Sequence, residues 1–310
     1  MLFRIYGSRG SYPISGQDYS LFGGHTTCFY MRSRGGAHLT VDAGTGIRQL
    51  GHHLMREGFE RGNGEMALFF THTHWDHIMG LPFFNPLFIE GNVFNLFTAS
   101  LPYSGIQAIF SGLFKPDIFP VPFDDLKSVI KLQEIIPPVT VDYKDFSVRA
   151  MQINHNNISL GYRVENEGKS VTVLTDNAII ELARMGDGFP DEYIRDENGK
   201  KTKELSQKTL DFISEYRTRQ AEFARGTDIL VCDTHFTVDT IVGRETWGHS
   251  TPDEAIRLAH ECQPGMIILH HHDPERHDSH VLEKEEKVRK ALDGTGIKVF
   301  AGYEGFEMEL

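Results

Sequence analysis

Thr71-His72-Thr73-His74-Trp75-Asp76-His77 is the stretch on which the reading of this chain turns. It follows the apolar run Met66-Ala67-Leu68-Phe69-Phe70, whose length and composition predict a buried strand. Three imidazoles and a carboxylate are therefore delivered to the edge of a sheet within six positions. Neutral imidazole and carboxylate are the donors that zinc and its first-row neighbours take. Backbone geometry keeps donors this close from all meeting one ion. The spacing suits two adjacent ions, with His72 and His74 turned to one and Asp76 and His77 to the other. A polar loop that happens to hold histidines is the weaker alternative.

Outward from this stretch the same habit recurs. Short β-type runs Phe3-Arg4-Ile5-Tyr6, Cys28-Phe29-Tyr30-Met31 and His38-Leu39-Thr40-Val41 are separated by Gly-rich turns. After Asp42-Ala43-Gly44-Thr45-Gly46 a helical pattern is carried by Ile47, Leu50 and Leu54. Val148 to Ile153 runs on to His155, and Val171 to Leu174 to Asp176. Ile229 to Cys232 runs to Asp233, and Met266 to Leu269 into His270, His271 and His272. Apolar strands separated by helical stretches predict a layered α/β protein. Ligand-type residues at one strand end after another mark where such sheets place active sites.

Composition bounds the partners. The 310 residues can bury a substantial core. No apolar run reaches the roughly 18–20 residues that a membrane helix needs. The opening Met1-Leu2-Phe3-Arg4-Ile5 meets Gly7-Ser8-Arg9-Gly10 before any continuous apolar segment forms, so a cytoplasmic protein with no membrane span is expected. Cys28, Cys232 and Cys262 lie far apart and form no CxxC pair, which disfavours both disulfides and a thiolate zinc knot. A formal charge of −12 argues against a long nucleic acid, whose binding relies on basic contacts to phosphates. Bound divalent cations would still make a site locally positive, so the charge speaks to the size of a substrate more than to its chemistry.

Two segments read as insertions in a single domain spanning 1–310. Residues 82–123 are dense in Phe and Pro, which suits a lid, a pocket wall or a homodimer contact, with plain core packing an equal alternative. Residues 181–225 mix charges of both signs, as in Lys200-Lys201-Thr202-Lys203-Glu204, and read as a solvated helical excursion.

The histidine stretch resembles the HxHxDH signature of metallo-β-lactamase-fold hydrolases, and the later segments resemble the branch containing ribonuclease Z and related phosphodiesterases. His155 followed by Ser159-Leu160-Gly161-Tyr162-Arg163 is similar to that branch's third-motif histidine and GYR. Asp176, in Leu174-Thr175-Asp176-Asn177, resembles the bridging aspartate, although the family often has GDT there. Leu269-His270-His271-His272-Asp273-Pro274 resembles the last motif, and its register before the proline selects His271. The resemblance runs in order from Leu2 to about Ala301. It implies a four-layer αββα sandwich. It also implies two divalent metal ions, zinc first, with manganese or iron acceptable to the same donors. One ion would be held by His72, His74 and His155, the other by Asp76, His77 and His271, with Asp176 between them. Asp42 would orient ligands rather than bind metal.

Two such ions about 3.5–4 Å apart can share a hydroxide and stabilise a phosphoryl group, with Asp76 among the residues that hold them. A poor alkoxide leaving group still needs a proton donor. His249, in Trp247-Gly248-His249-Ser250-Thr251-Pro252, resembles the branch's GHST histidine and is the expected general acid. Asp233, where the branch has glutamate, is expected to orient His249 and raise its pKa. Thr251, Pro252 and Glu254 also read as a helix start with a capping box. His235 reads as a residue near the site or exposed, and His270 and His272 as turned away from it though able to line the cleft. His25 is a residue able to approach from an early loop. His52, His53, His260, His277 and His280 read as surface residues.

The chain departs from ribonuclease Z in one place that bears on substrate. Where that branch usually carries a tRNA-clamping arm after GYR, only Val164-Glu165-Asn166-Glu167-Gly168-Lys169-Ser170 intervenes. With the acidic charge, this favours a small phosphodiester, a cyclic nucleotide or cyclic phosphate, over pre-tRNA. The alternatives are a ribonuclease Z-like endoribonuclease, a lactone or ester hydrolase, and a non-catalytic metal-stabilised binding module. Di-iron oxygen chemistry is disfavoured, because those relatives typically carry Glu at the position of His74.

Overall fold

In the computed structural model the described residues are 1–100, 105–178, 193–195, 201–205, 207–244 and 247–310. In chain order the strands of the first sheet begin with β1 (Leu2–Gly7), β2 (Cys28–Arg32), β3 (His38–Val41), β4 (Glu65–Phe69), β5 (Val93–Ala99) and β6 (Val129–Ile135). The second sheet is built from β7 (Val139–Tyr143), β8 (Phe146–Ile153), β9 (Ser159–Asn166), β10 (Lys169–Leu174), β13 (Ile229–Asp233), β14 (Met266–His270) and β15 (Lys298–Ala301). Between β10 and β13, β11 (Tyr193–Arg195) and β12 (Lys201–Leu205) pair as a separate antiparallel two-stranded sheet, and β16 (Glu307–Glu309) joins the edge of the first sheet beside β1. The spatial orders are β16, β1, β2, β3, β4, β5, β6 and β15, β14, β13, β10, β9, β8, β7.

Burial explains the apolar runs. Along β4, Ala67 and Phe69 face a core shared with the second sheet, while Met66, Leu68 and Phe70 face the helical side. Along β13, Ile229 and Val231 join the shared core, while Leu230 and Cys232 pack on the other helical layer. A strand covered on both faces reads as continuously apolar because neither of its alternating sides meets water. Residues of α1 (Ile47–Arg56) and α3 (Gly105–Leu113) cover the first sheet, and the short α2 (Trp75–Ile78) between them carries Asp76 and His77. Those of α4 (Gln207–Ala224), α5 (Pro252–Cys262) and α6 (Asp278–Ala291) cover the second. Helix, sheet, sheet, helix is the four-layer αββα order that the motifs imply.

The two segments read as insertions come out differently from one another. Within 82–123, β5 pairs in parallel with both β4 and β6, and Phe84, Phe94, Phe110 and Phe114 are buried. Core packing therefore accounts for most of that aromatic density. Among the described residues of 181–225, α4 is helical and 193–195 and 201–205 are strands, while residues 181–192, 196–200 and 206 lie outside the described residues. Alternating sequence such as Lys201-Thr202-Lys203-Glu204-Leu205 suits a strand as well as a charged helix. No helix among the described residues is long and apolar enough to cross a membrane.

The parallel strands β3 and β4 and the parallel strands β10, β13 and β14 send their carboxyl ends to the site. Asp42 follows β3, His72 follows β4, Asp176 follows β10, Asp233 ends β13 and His271 follows β14. Asp42, Asp176 and His271 have left-handed backbones at φ 63°, 52° and 59°. Such conformations are costly for residues with a Cβ, and they recur where structure aims a functional side chain.

Candidate metal centre

The strand-end residues converge as two groups. His72, His74 and His155 form one; Asp76, His77, Asp176 and His271 form the other, and within each group the donor atoms lie within 4.8 Å of one another. Nδ1 of His74 is 3.1 Å from Nε2 of His155. In the second group His271 Nε2 lies 3.1 Å from Asp76 Oδ2 and 3.3 Å from Asp176 Oδ1, and His77 Nε2 lies 3.1 Å from Asp176 Oδ2. Asp176 Oδ1 is also 3.9 Å from His155 Nε2, so this carboxylate faces both groups.

Three of the imidazoles are oriented from behind. Asp42 accepts from Nδ1 of His77 at 2.8 Å and from the backbone N–H of Thr71 at 2.8 Å. The Thr71 hydroxyl also bonds Asp42 and lies 3.0 Å from Nδ1 of His72. Nδ1 of His155 donates to the Gly248 carbonyl at 2.8 Å. Gly248 has φ 83°, and a Cβ there would lie 2.2 Å from His155 Nδ1, so only glycine lets this backbone approach the ring. On the carboxylate side, Ser11 donates its backbone N–H to Asp76 Oδ2 at 2.7 Å.

The charge states suit cations. Burial pushes His72 well below the usual imidazole value, His74 below it, and His155 down to about 4. These rings are neutral donors. Burial would likewise raise Asp76 and Asp176, but the neighbouring imidazoles, His77 and His271, hold both well below the usual carboxylate range. Burial lowers His77, yet the carboxylates Asp176, Asp76 and Asp42 outweigh it and hold this ring well above its usual value, with a proton that a divalent cation would replace on binding. Nε2 of His72 is buried with no hydrogen-bond partner. An orphaned imidazole nitrogen aimed at neutral rings and ionised carboxylates is what a divalent cation fits.

Beside this cluster, His249 Nδ1 is 2.8 Å from Asp233 Oδ2 and 3.7 Å from Asp176 Oδ1. Burial opposes protonation of His249, but Asp233 overcomes it and raises the ring to about 9. The His249 ring stacks on His271 at 4.7 Å and on His235 at 4.5 Å.

The remaining expectations divide. His235 is buried, not exposed, with Nδ1 donating to the His271 carbonyl at 3.0 Å. His270 and His272 are wholly buried against the carbonyls of Gly7 and Gly302, so neither lines an open cleft. His25 is half-buried and bonds Thr45 rather than a cluster residue. His52, His260, His277 and His280 are exposed, whereas His53 is half-buried near Glu57. The capping box is not formed. Thr251 is the N-cap of α5 and Pro252 its first residue, but the Thr251 side chain makes no cap bond, and Glu254 pairs with Arg217 and Arg257.

Sequence reasoning missed Tyr216. Its hydroxyl accepts from the Asn154 backbone N–H and donates to Asn177 Oδ1, both at 2.7 Å. It thereby ties the residue before His155 to the residue after Asp176. Only its position on the buried face of α4 hinted at this.

Residues 38–192, half of the chain, match the family described as beta-lactamase superfamily domain. The chain belongs to that superfamily. It is 24% identical over 309 residues to ribonuclease Z of Thermoplasma acidophilum, covering 94% of this chain and 92% of that protein. The fold superimposes on the metallo-beta-lactamase fold protein YhfI from Bacillus subtilis with a TM-score of 0.65 at 16% identity, over 99% of both chains. Human tRNase Z, short form, gives 0.60 at 15% identity over 100% of this chain and 99% of that one. As a member of the beta-lactamase superfamily the protein is a metal-dependent hydrolase.

Proposed function

We propose that this hydrolase is a phosphodiesterase acting on small phosphodiesters, such as a cyclic nucleotide or cyclic phosphate, with His249 as the proton donor. The observation that carries the reading is the buried His249–Asp233 pair lying against the metal cluster at Asp176 and His271. His72, His74 and His155 would hold one divalent cation, and Asp76, His77 and His271 a second, with Asp176 facing both. Zinc suits these donors best, and manganese or iron also fit. When bound, the two cations would supply an activated water and offset charge on the phosphoryl oxygens.

The chain's own residues do the rest. Asp42 and the Gly248 carbonyl occupy Nδ1 of His77 and His155, which fixes each ring with Nε2 toward the cluster. Asp233 occupies Nδ1 of His249, leaving Nε2 to deliver a proton to a departing alkoxide. A thioester expels a thiolate, which leaves without such a donor, so a phosphodiester of a sugar oxygen explains His249 better than a thioester does.

A small substrate is supported by the −12 charge and by the join between β9 and β10. Glu167 and Gly168 close that hairpin as a two-residue turn, both at positive φ, where the ribonuclease Z resemblance would place a tRNA-clamping arm. A second reading, a ribonuclease Z-like endoribonuclease, is favoured by the relatives that bear that name. The test is a comparison of leaving groups. His249→Ala should lose most turnover of alkyl phosphodiesters and much less with bis(p-nitrophenyl) phosphate, while retaining its metal. Equal losses on both substrates would remove His249 as the proton donor.

A further inference from the structure

The chain has two tryptophans, Trp75 and Trp247, and they are 70% and 51% exposed. Trp75 separates His74 from Asp76. Trp247 precedes Gly248, whose carbonyl holds His155, and His249 follows. Because His155 Nε2 lies 3.1 Å from His74 Nδ1, the two tryptophan-bearing segments meet at the candidate centre.

Trp247 is held in place rather than left loose. Its ring lies 6.1 Å from that of Phe236, which is buried and itself 5.9 Å from the His249 ring. The Arg244 guanidinium lies 5.6 Å from the Trp247 ring and 6.0 Å from the Phe236 ring. Arg244 donates to the Thr240 carbonyl and, among the described residues, has no carboxylate partner. An aromatic and cationic column therefore runs from His249 through Phe236 to Trp247 and Arg244, and its outer end is open to solvent.

We infer that Trp247 and Arg244 form a platform on which the nucleobase of the substrate stacks. The inference rests on the phosphodiesterase reading and narrows its substrate to nucleotides. An indole fixed by its neighbours offers a flat π face at little entropic cost. Every base has a complementary face, so stacking selects for the presence of a base more than for its identity. The guanidinium, which has no carboxylate partner among the described residues, adds donors and positive charge beside that face. A sugar phosphate lacking a base would use none of this.

The test reads binding directly, since all indole emission comes from these two residues. Metal-loaded protein is titrated with adenosine 5′-monophosphate, cytidine 5′-monophosphate, ribose 5-phosphate and inorganic phosphate. Both nucleotides are expected to quench the emission saturably and to bind more tightly than ribose 5-phosphate by about 10-fold. Trp247→Ala, followed by calorimetry, should remove most of that preference and leave the affinity for inorganic phosphate in place. Trp75→Phe identifies the tryptophan that is quenched. Equal affinity for nucleotides and ribose 5-phosphate, or no binding of either, overturns the base platform. Failure of the phosphodiesterase reading is seen separately, as absence of bis(p-nitrophenyl) phosphate turnover by the same preparation.

Discussion

Asp233 Oδ2 lies 2.8 Å from Nδ1 of His249, and both side chains are buried beside Asp176 and His271. A carboxylate at this distance favours the imidazolium and fixes which nitrogen points outward. Asp233→Asn should therefore cost turnover of alkyl phosphodiesters by about 10²–10⁴-fold, the usual scale for general acid catalysis. Steady-state rates on alkyl and nitrophenyl esters check this, with the smaller loss expected on the second.

The same pair sets a pH window. His249 is raised to about 9, so it stays protonated through neutral pH and loses its proton above that. Its contribution to stability is fully present below the unfolded imidazole value of about 6.5 and disappears as pH rises through the folded value. The alkyl phosphodiester rate should fall above about pH 9, and Asp233→Asn should move that descending limb down by about one unit or more. A pH–rate profile unchanged by the substitution would separate Asp233 from the titration.

How much of this was legible follows from where each signal sits. His72, His74, Asp76 and His77 are close in sequence, so the chain itself announces them. His155, Asp176 and His271 are spread over 117 positions and were reached through the family resemblance, because nothing local distinguishes them from other strand-end residues. Strands buried on both faces were readable as unbroken apolar runs. β5 was hidden in a Phe-rich stretch whose composition suits a lid or pocket wall as well as a core strand, and the paired strands β11 and β12 were hidden by charge. Tyr216 acts through contacts with Asn154 and Asn177, 62 and 39 residues away, which no periodicity can show.

Tyr216→Phe keeps the ring and removes the hydroxyl. The Asn154 N–H then lacks its partner, at a cost of about 1–3 kcal/mol. Denaturant unfolding should show that loss, and zinc affinity should weaken because the backbones beside His155 and Asp176 are no longer tied together.

Gly248→Ala should harm the site more than its size suggests. A Cβ at φ 83° is strained, and it would sit 2.2 Å from His155 Nδ1. The expected result is about 1–3 kcal/mol of lost stability together with reduced metal content, since the ring must move. Metal analysis of purified protein with normal content would show that the backbone can adjust.

Removal of metal by a chelator should lower Tm. A cation held at about 100 times its Kd contributes about 2.7 kcal/mol to the folded state. Asp76→Ala and His271→Ala should show a smaller Tm difference between chelated and reloaded protein, and neither should hold two ions.

The most direct test of the account is hydrolysis of bis(p-nitrophenyl) phosphate by metal-stripped protein reloaded in steps with zinc or manganese. Turnover that is absent without metal and reaches its maximum near two equivalents is the predicted result. Full loading at two equivalents with no turnover would contradict the phosphodiesterase assignment, and a maximum at one equivalent would contradict the two-ion site.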